Sequence, residues 1–186
     1  MNETLRVIQS RRSIRKYRAE QVDDTDLKAI LAAAVYAPSA MNQQKWHFTV
    51  IQSRAMLDKI LQTVRENVLN SGIEELVERA KSPDFNIFYN APTIVLITAD
   101  ENAHFTEFDC GAAAENIALA AESLGVGSCL IGMSGFLFES ETADEIKKKL
   151  GIPQGYKHIL SIALGYREGA SPAPPPKNMD VVNYIR

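Results

Sequence analysis

From Cys110 to Leu124 the chain reads CGAAAENIALAAESL, a helix-length run with small residues on nearly every face. A helix lined with alanine in this way has no broad polar side to give to water, so it packs closely on several sides and stands at the centre of the fold. Gly125 follows where a left-handed residue stops it. Around it, Thr93 to Thr98 (TIVLIT, after Ala91-Pro92) and His158 to Gly165 (HILSIALG) are apolar runs of strand length and predict interior strands. Ser128 to Met133 predicts a short strand directly after the helix, and the aromatic and β-branched Trp46 to Ile51 (WHFTVI) a fourth. Leu5, Val7 and Ile8 fit a short helix over Asn2 to Ser10. Leu27, Ile30, Leu31 and Ala34 give another helix one apolar face, with Asp23 and Asp24 as capping candidates and Pro38 beyond its end. Arg54 to Ser82 is polar and helical in pattern, whereas Pro83 to Asn90 carries Phe85, Phe88 and Tyr89 without periodicity; together they are placed to cover a pocket. Ser140 to Leu150 predicts the last helix, with Thr142 and Glu145 in capping-box spacing and Gly151 and Pro153 as its stop.

Size and charge narrow the function classes. A chain of 186 residues with 46% hydrophobic content can bury one real core and is long enough to be an enzyme. A formal net charge of −3 excludes a nucleic-acid footprint spread over a face, while leaving room for a local basic pocket. Cys110 and Cys129 have neither CxxC nor zinc spacing, so both are expected reduced and buried, and no metal site is expected. The N-terminus lacks an apolar signal core and no segment approaches the ~20 apolar residues of a membrane span, so a cytoplasmic protein with no membrane partner is expected.

Three polar clusters carry the functional reading. Arg11-Arg12-Ser13-Ile14-Arg15 concentrates three guanidiniums and a hydroxyl in five residues, an arrangement suited to phosphate or carboxylate oxygens. The competing account is a solvated basic run at a helix C-terminus, where cations meet free carbonyls. The second cluster, Ala37 to Trp46 (APSAMNQQKW), joins a helix to a strand. Its Asn42 and Gln44 amides offer both donors and acceptors to a pyrimidine-like ring edge, and Ser39 can reach a further ligand oxygen; ordinary loop chemistry without a ligand is the alternative. The third is Gly125 to Met133. Gly125-x-Gly127 is no dinucleotide fingerprint, because it follows a helix and precedes a strand. Gly132, after the strand, either lets a planar ligand approach backbone N–H groups or simply makes a turn.

Other engines are missing: no GxSxG elbow, P-loop or HExxH is present. His47, His104 and His158 are dispersed, and His47 and His158 fall in strand-like segments as structural residues. With so little side-chain chemistry, a bound cofactor is the economical route to catalysis. After residue 171, Pro172 to Pro176 (PAPPP) makes a stiff spacer, and Val181, Val182, Tyr184 and Ile185 an apolar strand-like tail. A tail beyond a rigid arm does not easily fold back, so it is expected to dock on a second copy, in a homodimer; a frayed terminus is the alternative.

RRSIRKY, APSAMNQQKW, NAPTIVLITAD, the alanine-rich helix leading to LGVGSCLIG, and SIALGY before the proline arm, in this order, resemble the FMN-dependent nitroreductase family. The resemblance implies an α+β fold with a central mixed sheet flanked by helices. It also implies a homodimer with FMN at the subunit interface and C-terminal arms exchanged between subunits. Residues 1–171 are then one FMN-binding domain and 172–186 the arm and terminal strand. Carried across, Arg11, Arg12, Ser13 and Arg15 match the first FMN motif, with Arg11 and Ser13 on the phosphate and ribityl side and Arg15 near the flavin N1 and O2 edge. Pro38, Ser39, Ala40 and Asn42, with Gln44 adjacent, match the loop presented by the partner; Ile131 and Gly132 match the segment against the ring near N5. Lys177 resembles a basic arm residue that reaches the phosphate. Lys45 departs from the family, which often has proline there, and Asn178 and Met179 do not supply the additional arginine of many members.

The implied activity is hydride transfer from NADH or NADPH through flavin N5 to a nitroaromatic, quinone or similar electrophile, in ping-pong order. No side chain acts as acid or base, and Arg15 tunes the ring electrostatically. A flavin reductase or ene-type reductase of the same family, or a non-catalytic FMN-binding module, are the alternatives.

Overall fold

A computed structural model describes residues 1–186. Four strands form one sheet: β1 (Trp46–Ile51), β2 (Thr93–Asp100), β3 (Gly127–Ile131) and β4 (Tyr156–Gly165), in the order β1-β2-β4-β3. All three ladders are antiparallel. Within the single chain the sheet is antiparallel rather than mixed; the one parallel pairing is an isolated bridge between Ser13 and Ser128, outside the strands, where the arginine segment runs beside β3.

The unbroken TIVLIT run is explained by helices on both faces. Because strand side chains alternate, Ile94 and Leu96 join one core with Leu57, Ile60, Val64 and Val68 of α3 (Arg54–Leu69), while Val95 and Ile97 join a second core. That second core holds Leu27, Ile30 and Ala34 of α2 (Asp24–Val35) and Cys110, Ala114, Ile117 and Ala121 of α5 (Thr106–Ser123). The alanines let α5 lie close to both the sheet and α2, and Gly125 ends it at φ +75°. At the end of β4, Gly165 is required by close approach: a Cβ there would stand 2.7 Å from Pro92 Cδ.

Helix α1 (Glu3–Ser10) delivers the arginines, and Asp23 caps α2 by accepting from the Thr25 N–H at 2.8 Å. Three expectations are corrected. The helical stretch from Arg54 is two helices, α3 and α4 (Glu74–Lys81), separated where Gly72 turns left-handed at φ +71°. The capping box at Thr142 does not form: its hydroxyl pairs with Ser140 Oγ at 2.9 Å, and α6 (Ala143–Lys149) starts without a side-chain cap. The strand expected to reach Met133 stops at Ile131 and passes through a 3-10 turn, Met133–Phe138, anchored by Ser134 Oγ donating to the Ile131 carbonyl at 3.0 Å. Residues 172–186 are exposed throughout and form no strand within the single chain. No helix is long and apolar enough to cross a membrane.

Candidate functional site

The arginine segment leaves α1 extended and lies along β3: the Ile14 N–H donates to the Ser128 carbonyl at 2.8 Å, and Ile14 fills the space over Gly127. With Ile14 buried, its neighbours Ser13 and Arg15 are turned outward. Arg11, Arg12, Ser13 and Arg15 then line one cleft of about 280 Å³, closed on the far side by Pro172, Ala173, Pro175 and Lys177. The proline arm thus returns Lys177 to the arginines from more than 160 residues away in sequence. Four cations meet one Glu115 carboxylate, 3.7 Å from Arg11 Nε; Arg12, Arg15 and Lys177 have no carboxylate partner.

Hydrogen bonding separates the arginines. Arg11 Nη1 is buried without an acceptor, a donor left for a ligand oxygen. Arg12 Nη1 instead donates at 2.7 Å to the carbonyls of Gln9 and Arg11, so part of this guanidinium caps the end of α1 as the helix-terminus account describes. Its Nε remains buried and unpaired, as does the Ser128 hydroxyl beside the segment. Arg15 stands over the Tyr89 ring, its Cζ 5.7 Å from the centroid. Its side-chain interaction with Tyr89 is the main cause holding the Arg15 pKa above its usual value.

Beyond β3, Ile131 is buried and Gly132 exposed, and a Cβ added at Gly132 would meet nothing within 4 Å. The surface there is open to a flat ligand. Orphaned cationic donors in a phosphate-sized cleft and an open backbone platform on the same strand fit a phosphorylated, planar cofactor such as FMN.

The second cluster forms its own loop, and none of its residues lines the arginine cleft. Met41, Asn42 and Gln44 have φ between +51° and +53°, a conformation that L-residues avoid unless their surroundings impose it. What imposes it is Asp109 on α5, whose carboxylate accepts from the Ala40 N–H at 3.1 and 3.2 Å, together with Ser39 Oγ accepting from the Gln44 N–H at 3.1 Å. Gln44 Nε2 donates to Asn42 Oδ1 at 3.1 Å, leaving Asn42 Nδ2 as a donor and Gln44 Oε1 as an acceptor on an exposed loop beside Pro38. Lys45 is fixed by its carbonyl, which accepts from the Asp100 N–H at 3.0 Å.

Asp109 and Tyr89 were not singled out from sequence. A lone carboxylate at the head of a small-residue helix is the signal that marks Asp109; nothing in composition marks Tyr89. The cysteines are buried and unpaired, and burial pushes the Cys110 thiol up to about 12, out of nucleophilic range. His158 is structural: Nε2 lies 3.0 Å from Ser134 Oγ and 3.1 Å from Ser161 Oγ, and burial pushes its pKa down to about 4.

A family model described as the Nitroreductase family matches residues 8–166. A relative from Archaeoglobus fulgidus whose name includes NAD(P)H nitroreductase is 34% identical over 171 residues, covering 89% of this chain and 86% of its own. A nitroreductase from Bacteroides fragilis, solved with bound FMN, superposes at a TM-score of 0.95 with 33% identity over 100% of both chains. Another with bound FMN, from Desulfitobacterium hafniense, superposes at 0.93 with 32% identity over 100% of both. The sheet clothed on both faces, the arginine segment beside β3 and these likenesses over nearly the whole chain agree, and the protein belongs to the nitroreductase family.

Proposed function

We propose that the protein is an FMN-dependent NAD(P)H oxidoreductase acting as a homodimer, with each FMN lying between the arginine segment of one subunit and the Pro38 to Gln44 loop of the other. The observation that carries this reading is the buried, unpaired Arg11 Nη1 in a cleft shared by Arg15 and Lys177. The FMN bound in the Bacteroides fragilis and Desulfitobacterium hafniense structures supports it. When bound, FMN supplies hydride chemistry at N5, accepting from NADH or NADPH and donating to a nitroaromatic, quinone or similar electrophile.

The chain's own residues bind and orient. Arg11, Ser13 and Lys177 hold the phosphate and ribityl oxygens, with Arg12 contributing charge while it caps α1. Ile131 and Gly132 present backbone to the ring because no side chain intervenes. Asn42 Nδ2 and Gln44 Oε1 are the donor and acceptor free for the ring edge. Arg15 would place a cation near the N1 and O2 edge, where it would stabilise the negative charge of the reduced ring.

Arg15→Ala is therefore expected to lower the two-electron flavin potential by about 30–60 mV, the equivalent of one charge-assisted hydrogen bond. FMN retention should change less. Spectroelectrochemical titration reads this directly, and equal potentials in variant and parent contradict the role. The activity itself is tested by initial rates with NAD(P)H and a nitroaromatic acceptor varied together. Parallel double-reciprocal lines are expected, because donor and acceptor use one pocket in turn; intersecting lines contradict the ordering.

A further inference from the structure

We propose that Tyr89 is a positioning residue for Arg15: a left-handed turn over residues 86–90 aims its ring under the guanidinium and so fixes the cation that faces the flavin edge. The inference rests on the reading of Arg15 above and extends it to a residue that touches neither phosphate nor loop.

An exposed arginine with no carboxylate partner would ordinarily sample many rotamers, and holding it costs side-chain entropy. Here Cζ lies 5.7 Å from the Tyr89 ring centroid, within the range in which the ring quadrupole attracts a cation. Arg15 also lines the arginine cleft.

The backbone that supplies this ring is strained. Tyr89 has φ +54° and Asn90 φ +58°, two consecutive left-handed residues of which the first is aromatic. Left-handed backbone is costly for such a residue, and its surroundings must offset that cost to impose the conformation. Asn86 imposes it: its Oδ1 accepts from the Phe88 N–H at 2.9 Å, and its Nδ2 donates to Asn90 Oδ1 at 2.8 Å. The main chain closes twice more, Tyr89 N–H to the Asn86 carbonyl at 3.2 Å and Ala91 N–H to the Phe88 carbonyl at 2.9 Å. Ile87 and Phe88 are buried in the α3-side core and Pro92 leads into β2, so the turn is anchored on both sides. What the anchored strain produces is the direction of one side chain. Phe88 goes inward, and Tyr89, half-buried, goes under Arg15. The ring also lines a second cleft of about 330 Å³ with Phe85, Asn86 and Arg79, so the turn lies between the arginine cleft and the 54–90 stretch that precedes it.

The test compares Tyr89→Phe, Tyr89→Asn, Arg15→Ala and the Arg15→Ala/Tyr89→Asn double variant, each reconstituted with FMN. Asparagine tolerates the left-handed backbone, so it removes the ring while keeping the turn. The quantity read is the ratio of the dissociation constants of oxidised and reduced FMN, from binding titration and midpoint potential. Tyr89→Asn is expected to shift this ratio about 2–5-fold in the direction of Arg15→Ala, as loss of an exposed cation–π contact predicts. Tyr89→Phe, which keeps the aromatic face, should stay within about 2-fold of the parent. In the Arg15→Ala background Tyr89→Asn should add nothing. An unchanged ratio in Tyr89→Asn while Arg15→Ala shifts it overturns the positioning role, as does an equal Tyr89→Asn effect with and without Arg15, or a Tyr89→Phe shift as large as that of asparagine. A ratio unmoved by Arg15→Ala itself overturns the placement of Arg15, and the role of Tyr89 falls with it.

Discussion

Arg11→Ala is expected to weaken FMN binding about 10–100-fold, the equivalent of losing a hydrogen bond to a charged group worth about 1.5–3 kcal/mol. The cause is local. Nη1 is a buried donor with no acceptor in the chain, and Glu115 engages only Nε, at 3.7 Å. A phosphate oxygen supplies the missing acceptor, so the side chain gains more from the ligand than an exposed arginine would. Arg11→Lys should recover part of the loss, since it restores charge without the planar fork. Flavin fluorescence titration of the apoprotein reads both, and an Arg11→Ala variant that retains FMN as the parent does contradicts the phosphate assignment. Protein stability should change little, because the Glu115 contact is long and Glu115 is half in solvent.

Ending the chain before Pro172 should have the second large effect, conversion of the dimer to monomer together with weaker FMN binding. Met179, Val181, Tyr184 and Ile185 are 71–94% exposed in the single chain. Each is worth about 1.5–3 kcal/mol when fully buried, so exchange of two such arms between subunits would offset an association cost on the order of 4–15 kcal/mol. Leu5, Ile8, Val35, Tyr36, Phe105 and Phe108, on or next to α1, α2 and α5, are apolar side chains exposed in the single chain. The same deletion removes Lys177 from the arginine cleft. Sedimentation velocity on the truncated and full-length chains separates the outcomes; a truncated chain that remains a stable dimer contradicts the arm's role.

Much of the fold is legible in the sequence wherever burial is two-sided. TIVLIT and HILSIALG read as interior strands because each alternate residue enters a different core, and the alanines of α5 read as a central helix because small residues allow close packing, although Glu107, Gly111 and Glu115 leave one stripe of it exposed. What escapes is decided by small local competitions. Gly72 within a helical pattern is compatible with either a tolerated glycine or a break, and here its left-handed φ makes it a break. The Thr142 capping spacing is correct, yet Ser140 captures the hydroxyl first. In the site, the arginine cluster announces an anion, but only the hydrogen bonds separate Arg11, with its free donor, from Arg12, which caps its own helix. Tyr89 reads from the sequence only as one aromatic of an aperiodic stretch, because a positive φ leaves no mark in spacing; its role appears only when the turn held by Asn86 is seen to aim it.

The scaffold is expected to hold FMN in a form that nicotinamide can reduce. The most direct measurement is the absorption spectrum of the FMN-reconstituted protein during anaerobic titration with NADH and then NADPH. Bleaching of the flavin band within turnover time, with return of the colour on adding a nitroaromatic or quinone, is the result predicted. Flavin that stays bound and oxidised with both donors would contradict the oxidoreductase and leave an FMN-binding module in its place.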